Sequence, residues 1–187
     1  MNKKIIAAAF SLLPSLAIAH PGHGGGFTAA FAHPFTGIDH LLMMLFVGVL
    51  AGRIGGNMRW QLPSLFLLAM LCGWLLGANG FVIPAIESGI AAGLIALGVL
   101  LAWQSQISRV AQFVIVAVFA SLHGMAHGVE LTYATPLLTT LGFVAATASL
   151  HLLGLALAAK LSPRHLMIYR FFGAVLALFG GGLLVAA

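Results

Sequence analysis

Two short stretches of this chain set carboxylates beside histidines. HPFTGIDH carries His33, Asp39 and His40, and HGMAHGVE carries His123, His127 and Glu130. Only one other carboxylate, Glu87, occurs in the chain, which is 61% hydrophobic and 6% charged. On a helix, positions 123, 127 and 130 follow i, i+4, i+7 spacing and project within about 60° of one another. Two imidazoles at i, i+4 can hold one metal ion, and a nearby carboxylate can complete or orient the site. The plainer use of the same groups is hydrogen bonding to neighbouring helices. Polar groups this costly to bury rarely occur in an apolar chain without a partner or a task. The pattern points to a membrane protein that handles a divalent metal ion.

Several further residues bear on that chemistry. Pro34 suits the entry to a helix, which places Asp39 and His40 in the first turns. Carboxylate charge on Asp39 is favoured there by the helix dipole, by about 0.3–1 kcal/mol. That accounts for Asp39 as a helix-start residue but leaves the flanking His33 and His40 unexplained. Met43 and Met44 lie one turn further in; they pack, or offer soft thioether contacts to an ion. His151 lies about 15 residues into a later span, roughly 22 Å deep at 1.5 Å per residue. It is either an inner relay for an ion or proton, or an interhelical hydrogen bonder working with Thr147 and Ser149. Glu87 stands at a span end, where solvating the helix terminus is sufficient reason for it. His20 and His23 belong to an N-terminal segment that is either a metal-collecting arm or neutral.

The elements that must position these groups are membrane helices. A mean hydropathy of +1.12 over 187 residues leaves too little polar surface to solvate a globule. The apolar stretches separate into spans near 36–53, 61–80, 87–104, 109–130, 136–159 and 166–186, with Pro, Gly or charge at the breaks. They do not alternate apolar and polar residues, which excludes barrel strands. The fold expected is an all-α membrane protein, a bundle of about six transmembrane helices following a cleavable signal peptide. Residues 1–19 fit that signal, with Lys3 and Lys4, an apolar core from Ile5 to Leu13, and Ala17-Ile18-Ala19 as cleavage site. Residues 20–187 form a single polytopic domain. Cys72 is alone, so no internal disulfide and no Cys-x-x-Cys site exists. The basic residues are scattered singly, which excludes a nucleic-acid-binding stripe.

Charge sets the orientation. Arg53, Arg59, Arg109, Lys160, Arg164 and Arg170 all fall at the first, third and fifth breaks. The positive-inside rule puts those loops in the cytoplasm. The mature N-terminus and all three carboxylates are then periplasmic, and the net charge after cleavage is six basic residues against three acidic, +3. Glycines at i, i+4 (Gly48/Gly52, Gly73/Gly77, Gly89/Gly93 and Gly124/Gly128) favour close helix approach and a tight bundle.

These residues also carry a family resemblance. HPFTGIDHLLMMLFVGVLA resembles the first signature of the HupE/UreJ family of hydrogenase and urease accessory proteins, His-Pro-x-x-Gly-x-Asp-His followed by Leu, Met, Val-Gly and Ala. HGMAHGVE is similar to that family's second signature at His123, Gly124, Ala126, His127, Gly128 and Glu130, and GFVAATASLHLLG around His151 is similar to a third. The resemblance implies a nickel permease, accepting cobalt as well, that supplies metalloenzyme maturation.

The reading is therefore a permease of the bacterial inner membrane for Ni2+ or Co2+, with no permanent cofactor and no enzymatic activity. The expected metal-handling residues are His33, Asp39, His40, His123, His127 and Glu130, with His20, His23 and His151 as further candidates. The first motif would collect the ion and the second would pass it on. Its partners are the divalent ion and the lipid bilayer, alone or as a homo-oligomer, with indirect supply to hydrogenase or urease maturation and no nucleic acid. No Walker-type Gly-Lys-Ser/Thr sequence is present, which argues against ATP-driven transport by this chain alone. The competing readings are an intramembrane zinc hydrolase, in which His123, His127 and a carboxylate hold the metal near Ser121, and a metal sensor or insertion chaperone that transports nothing.

Overall fold

A computed structural model describes residues 26–103, 106–130, 136–161 and 164–186, the side chain of Glu130 excepted. The expected signal segment, His20 and His23 lie outside the described residues. Helix α1 (Phe27–Ala32) runs through a 3-10 turn (His33–Phe35) into α2 (Ile38–Ile54). Five longer helices follow: α3 (Met58–Ala78), α4 (Ile86–Trp103), α5 (Arg109–Glu130), α6 (Pro136–Lys160) and α7 (Leu166–Ala186). Each of α3 to α7 is long and apolar enough to cross a membrane, and α1 with α2, bent by 84° at the break, passes the same test only when the two are taken together. Leu68, Leu75, Val110, Leu137, Met167, Phe171 and Leu178 are among the large apolar side chains left exposed. Such a surface fits lipid rather than water. The protein is an all-α, multi-pass membrane protein whose helix ends fall within three residues of the spans read from hydropathy.

Glycines set how close the helices come. A Cβ on Gly73 would strike the backbone of Ser121, and one on Gly124 the backbone of Met70, so α3 and α5 touch main chain to main chain. Gly77 faces Met125 four residues further along both helices, which makes the pair parallel. Gly48 meets the backbone of His151, and Gly52 meets Leu155 and Ala158 further along both helices, joining α2 to α6 in the same sense, with Gly154 against the Leu45 carbonyl. Gly98 meets Gly173 while Gly180 meets Ala91, so α4 and α7 are antiparallel. These three senses are the ones that strictly alternating spans require. Gly89 and Gly93 differ from the other expected pairs: they face the side chains of Leu122, Met43 and Phe119, and no backbone. Small residues substitute here for the hydrophobic driving force that lipid removes.

Two features depart from the sequence reading. The first span does not start cleanly at residue 36. It is preceded by α1, which rests on α6 where Gly142 abuts the Phe27 carbonyl and Ala30. Thr36 locks the intervening turn, its amide and its Oγ1 both donating to the His33 carbonyl at 2.9 and 2.7 Å. Arg53, read above as a loop cation, is instead 6% exposed. Its guanidinium donates to the Leu101 carbonyl and lies 4.7 Å from the centroid of the Tyr169 ring. It ties the ends of α2, α4 and α7 together, because its long stem reaches back among them from the last turn of α2. The turn that follows uses positive φ at Gly55 and Gly56 (72° and 54°), a conformation that other residues adopt only at a cost.

Gly73→Ala or Gly124→Ala should each destabilise the detergent-purified protein by about 1–3 kcal/mol, because the added methyl must push two backbones apart. Gly181, with open space around its Cβ position, should tolerate alanine and gain up to about 1 kcal/mol of helix propensity. Thermal unfolding followed by circular dichroism checks both; equal melting temperatures for all three variants would contradict the packing described.

Candidate metal centre

The break in the first span positions the first motif. Pro34 is buried in the 3-10 turn that carries His33, and Gly37 opens α2 with its carbonyl accepting from the Leu41 amide at 3.0 Å. Asp39 and His40 then occupy the first turn of α2. A Cβ on Gly37 would lie 3.0 Å from Asp39 Oδ1 and 3.1 Å from His40 Nδ1. Glycine at this point lets both side chains fold back over the chain. Asp39 Oδ1 is 2.9 Å from His40 Nδ1, and the helix start favours the carboxylate charge.

The second motif comes from the last two turns of α5. His123 and His127 are 0% and 1% exposed. Their rings meet those of the first motif: the His40 centroid is 4.3 Å from that of His123 and 4.7 Å from that of His127, and His33 is 4.9 Å from His127. One ligand nitrogen from each of His33, His40 and His127 falls within 4.8 Å of the others. The two motifs thus build one cluster, where the sequence reading had a collecting group and a separate passage. Phe143 on α6 walls it, stacking on His127 at 4.7 Å and meeting His33 edge-on at 5.6 Å. Nothing in residue spacing foretold Phe143; only the resemblance of the stretch around it to the family drew notice.

The decisive chemical observation concerns unmade bonds. Among the described residues, both ring nitrogens of His123 and of His127 are buried without a hydrogen-bond partner, and neither nitrogen of His40 makes a well-directed one. Buried polar atoms are nearly always paired, because stripping them of water without compensation costs free energy. A divalent cation would supply what these nitrogens lack, since imidazole nitrogens bind such ions at about 2.0–2.1 Å. His33, His40 and His127 are near enough to one another to share an ion, with Asp39 beside His40 to offset its charge.

The other candidates fall elsewhere. Glu130 ends α5, seven residues beyond His123; its side chain lies outside the described residues. Glu87 is exposed in the first turn of α4, apart from the cluster. His151 is buried deeper, its Nδ1 2.6 Å from the Met44 carbonyl. That bond, and not one through Thr147 or Ser149, is its interhelical contact; Ser149 Oγ donates to Ala145 O on its own helix at 2.7 Å. Ser121 likewise donates to Ala117 O at 2.9 Å, so the nucleophile of the hydrolase reading is turned to its own backbone.

Comparison with known proteins agrees with this geometry. The model of the family described as HupE / UreJ protein matches residues 8–183. The chain belongs to the HupE/UreJ family. A curated family member, Protein HupE from Rhizobium leguminosarum bv. viciae, is 39% identical over 176 residues, which cover 92% of each chain. No solved structure matches this HupE/UreJ chain.

Gly37→Ala should weaken Ni2+ binding by about 10- to 100-fold, the loss usual when the support of a ligand is disturbed, while the melting temperature without metal barely changes. Isothermal titration in detergent checks it; unchanged affinity would mean that Asp39 and His40 do not ligate in the arrangement described.

Proposed function

We propose that this protein is a permease for a late divalent transition-metal cation, nickel first and cobalt second, serving hydrogenase or urease maturation. The ion is cargo, and the chain needs no resident cofactor and performs no covalent chemistry. Membership of the HupE/UreJ family supports the accessory role. The observation that carries the transport reading is the cluster of His33, His40, His123 and His127 beside Asp39, in which the fully buried His123 and His127 have ring nitrogens without hydrogen-bond partners among the described residues. A cluster of imidazoles and one carboxylate suits an ion that must be released, whereas thiolates would hold a soft ion tightly.

The entrance is at the carboxylate-bearing end of the bundle, where α1 and the broken start of α2 leave His33 and Asp39 only half-buried. A discontinuous helix is a common way to present ion-binding groups inside a membrane. We place that end at the periplasmic side of the inner membrane, since the basic residues Arg59, Arg109, Lys160 and Arg164 gather at the other end. Cleavage after Ala19 would put His20 and His23 on the same side, as a collecting arm, and Glu130 would close the cluster from the end of α5.

Radioactive nickel uptake tests the proposal in cells stripped of other nickel transporters, at matched membrane expression. Asp39→Asn and His127→Ala should reduce uptake by about tenfold or more, as the loss of metal ligands or their partners does. Arg59→Gln, at the opposite end, should leave it within a factor of about two. Absence of uptake by well-expressed wild type, together with a stoichiometric metal that survives purification, would defeat the permease reading in favour of a metal-dependent hydrolase.

A further inference from the structure

One turn below the histidine cluster, a second group of donors converges from three helices. Thr147 on α6 is fully buried, and its Oγ1 lies 3.3 Å from Met44 Sδ of α2 and 3.7 Å from Met70 Sδ of α3. Met44 follows His40 by four residues, and the Met70 backbone abuts Gly124, next to His123. Both thioethers therefore hang directly beneath the rings above. His151 follows Thr147 by one further turn of α6. Its Nδ1 faces the Met44 carbonyl at 2.6 Å, and a carbonyl only accepts, so the proton resides on Nδ1. The lone pair is left on Nε2, which is buried and has no partner among the described residues. Phe66 lies between the levels, its ring centroid 6.4 Å from that of His123 and 5.0 Å from that of His151.

This grouping has the chemistry of a site. A carbonyl that holds one imidazole nitrogen and thereby frees the other is the usual support of a metal-ligating histidine. Sulfur-to-oxygen separations of 3.3 and 3.7 Å are those of neighbouring ligands around one ion with bonds of about 2.1–2.3 Å. Methionine alone is more often packing than ligand. Packing does not explain an imidazole nitrogen in a dry interior with its lone pair unused.

We propose that Met44, Met70, Thr147 and His151 form a second, inner stop for the transported cation, rich in thioether and free of carboxylate. The inference rests on the permease reading and deepens it. Uncharged thioether and imidazole donors select a late transition metal over magnesium or calcium. With no carboxylate to neutralise the ion, the stop holds it more weakly than the outer cluster does, so the ion moves inward only in transit. Phe66 neighbours His123 of the outer level and His151 of the inner one.

Nickel X-ray absorption on the full-length, detergent-purified protein tests this, in a Cys72→Ser background that removes the single thiol. The outer cluster offers only nitrogen and oxygen, so a sulfur shell near 2.3–2.4 Å reports the inner stop. It should appear as a second equivalent of Ni2+ is added. It should vanish in Met44→Leu/Met70→Leu, a volume-conserving change, while the nitrogen and oxygen shell of the first equivalent persists and uptake falls about tenfold. His151→Gln should lose the second equivalent as well, which serves as the independent variant if the double variant folds poorly. Two bound equivalents without sulfur in the parent protein, or full uptake by the double variant, would overturn the inner stop alone. Failure of the parent protein to bind nickel through any shell would overturn the permease reading with it.

Discussion

Backbone-to-backbone approach of helices is the constraint on which the rest depends. In lipid there is no gain from hiding apolar surface, so association rests on tight van der Waals contact and a few polar bonds. Gly73 and Gly124 bring α3 against α5, and Gly48 and Gly154 bring α2 against α6. The second contact sets the Met44 carbonyl within hydrogen-bonding distance of His151. The first fixes the rotation of α5, and with it the inward direction of His123 and His127. Larger residues at these four positions would widen the bundle and part the imidazoles. The cluster is a product of helix spacing before it is a product of ligand chemistry.

The polar interior is concentrated at two levels, and the opposite end of the bundle is closed by different means. There, Arg53 spends its charge on the Leu101 carbonyl and the Tyr169 face, although its Nε and the tyrosine hydroxyl find no partner among the described residues. A guanidinium tolerates such a place better than an ammonium would, being planar, weakly hydrated and suited to stacking on a ring. The result is a bundle with unsatisfied nitrogen acceptors toward one end and a buried cation toward the other.

Much of this was legible in the residues. Hydropathy located the spans to within three residues, because continuous apolar runs have few alternatives to a helix in lipid. Helical spacing placed His123 and His127 on one face, and Pro34 as a helix-entry residue put Asp39 and His40 in the first turn that they occupy. What spacing could not convey was contact across the bundle. Residues 40 and 127 are distant in sequence, and only the mutual packing of α2, α3, α5 and α6 brings them together. Arg53 was misread because charge near a hydropathy boundary is normally solvated; its burial depends on Tyr169, far along the chain. Met70 passed unnoticed for the same reason, since a methionine in an apolar helix looks like any other packing residue, and Thr147 was noticed only as a companion of His151. The short helix α1 was missed because its six residues lie beyond a glycine-rich stretch and carry little periodic signal.

The division of the histidine cluster between α2 and α5 has a consequence for biosynthesis. A ribosome releases the first motif into the membrane long before the second has been translated, and long-range pairing of this kind comes late in assembly. Until α5 is inserted and settled against α3, the nascent chain presents His33, Asp39 and His40 without their counterparts. Assembly of the histidine cluster is thereby deferred until nearly the whole bundle stands. A truncated or half-inserted polypeptide would hold only half of its side chains, and an ion would find no complete site there.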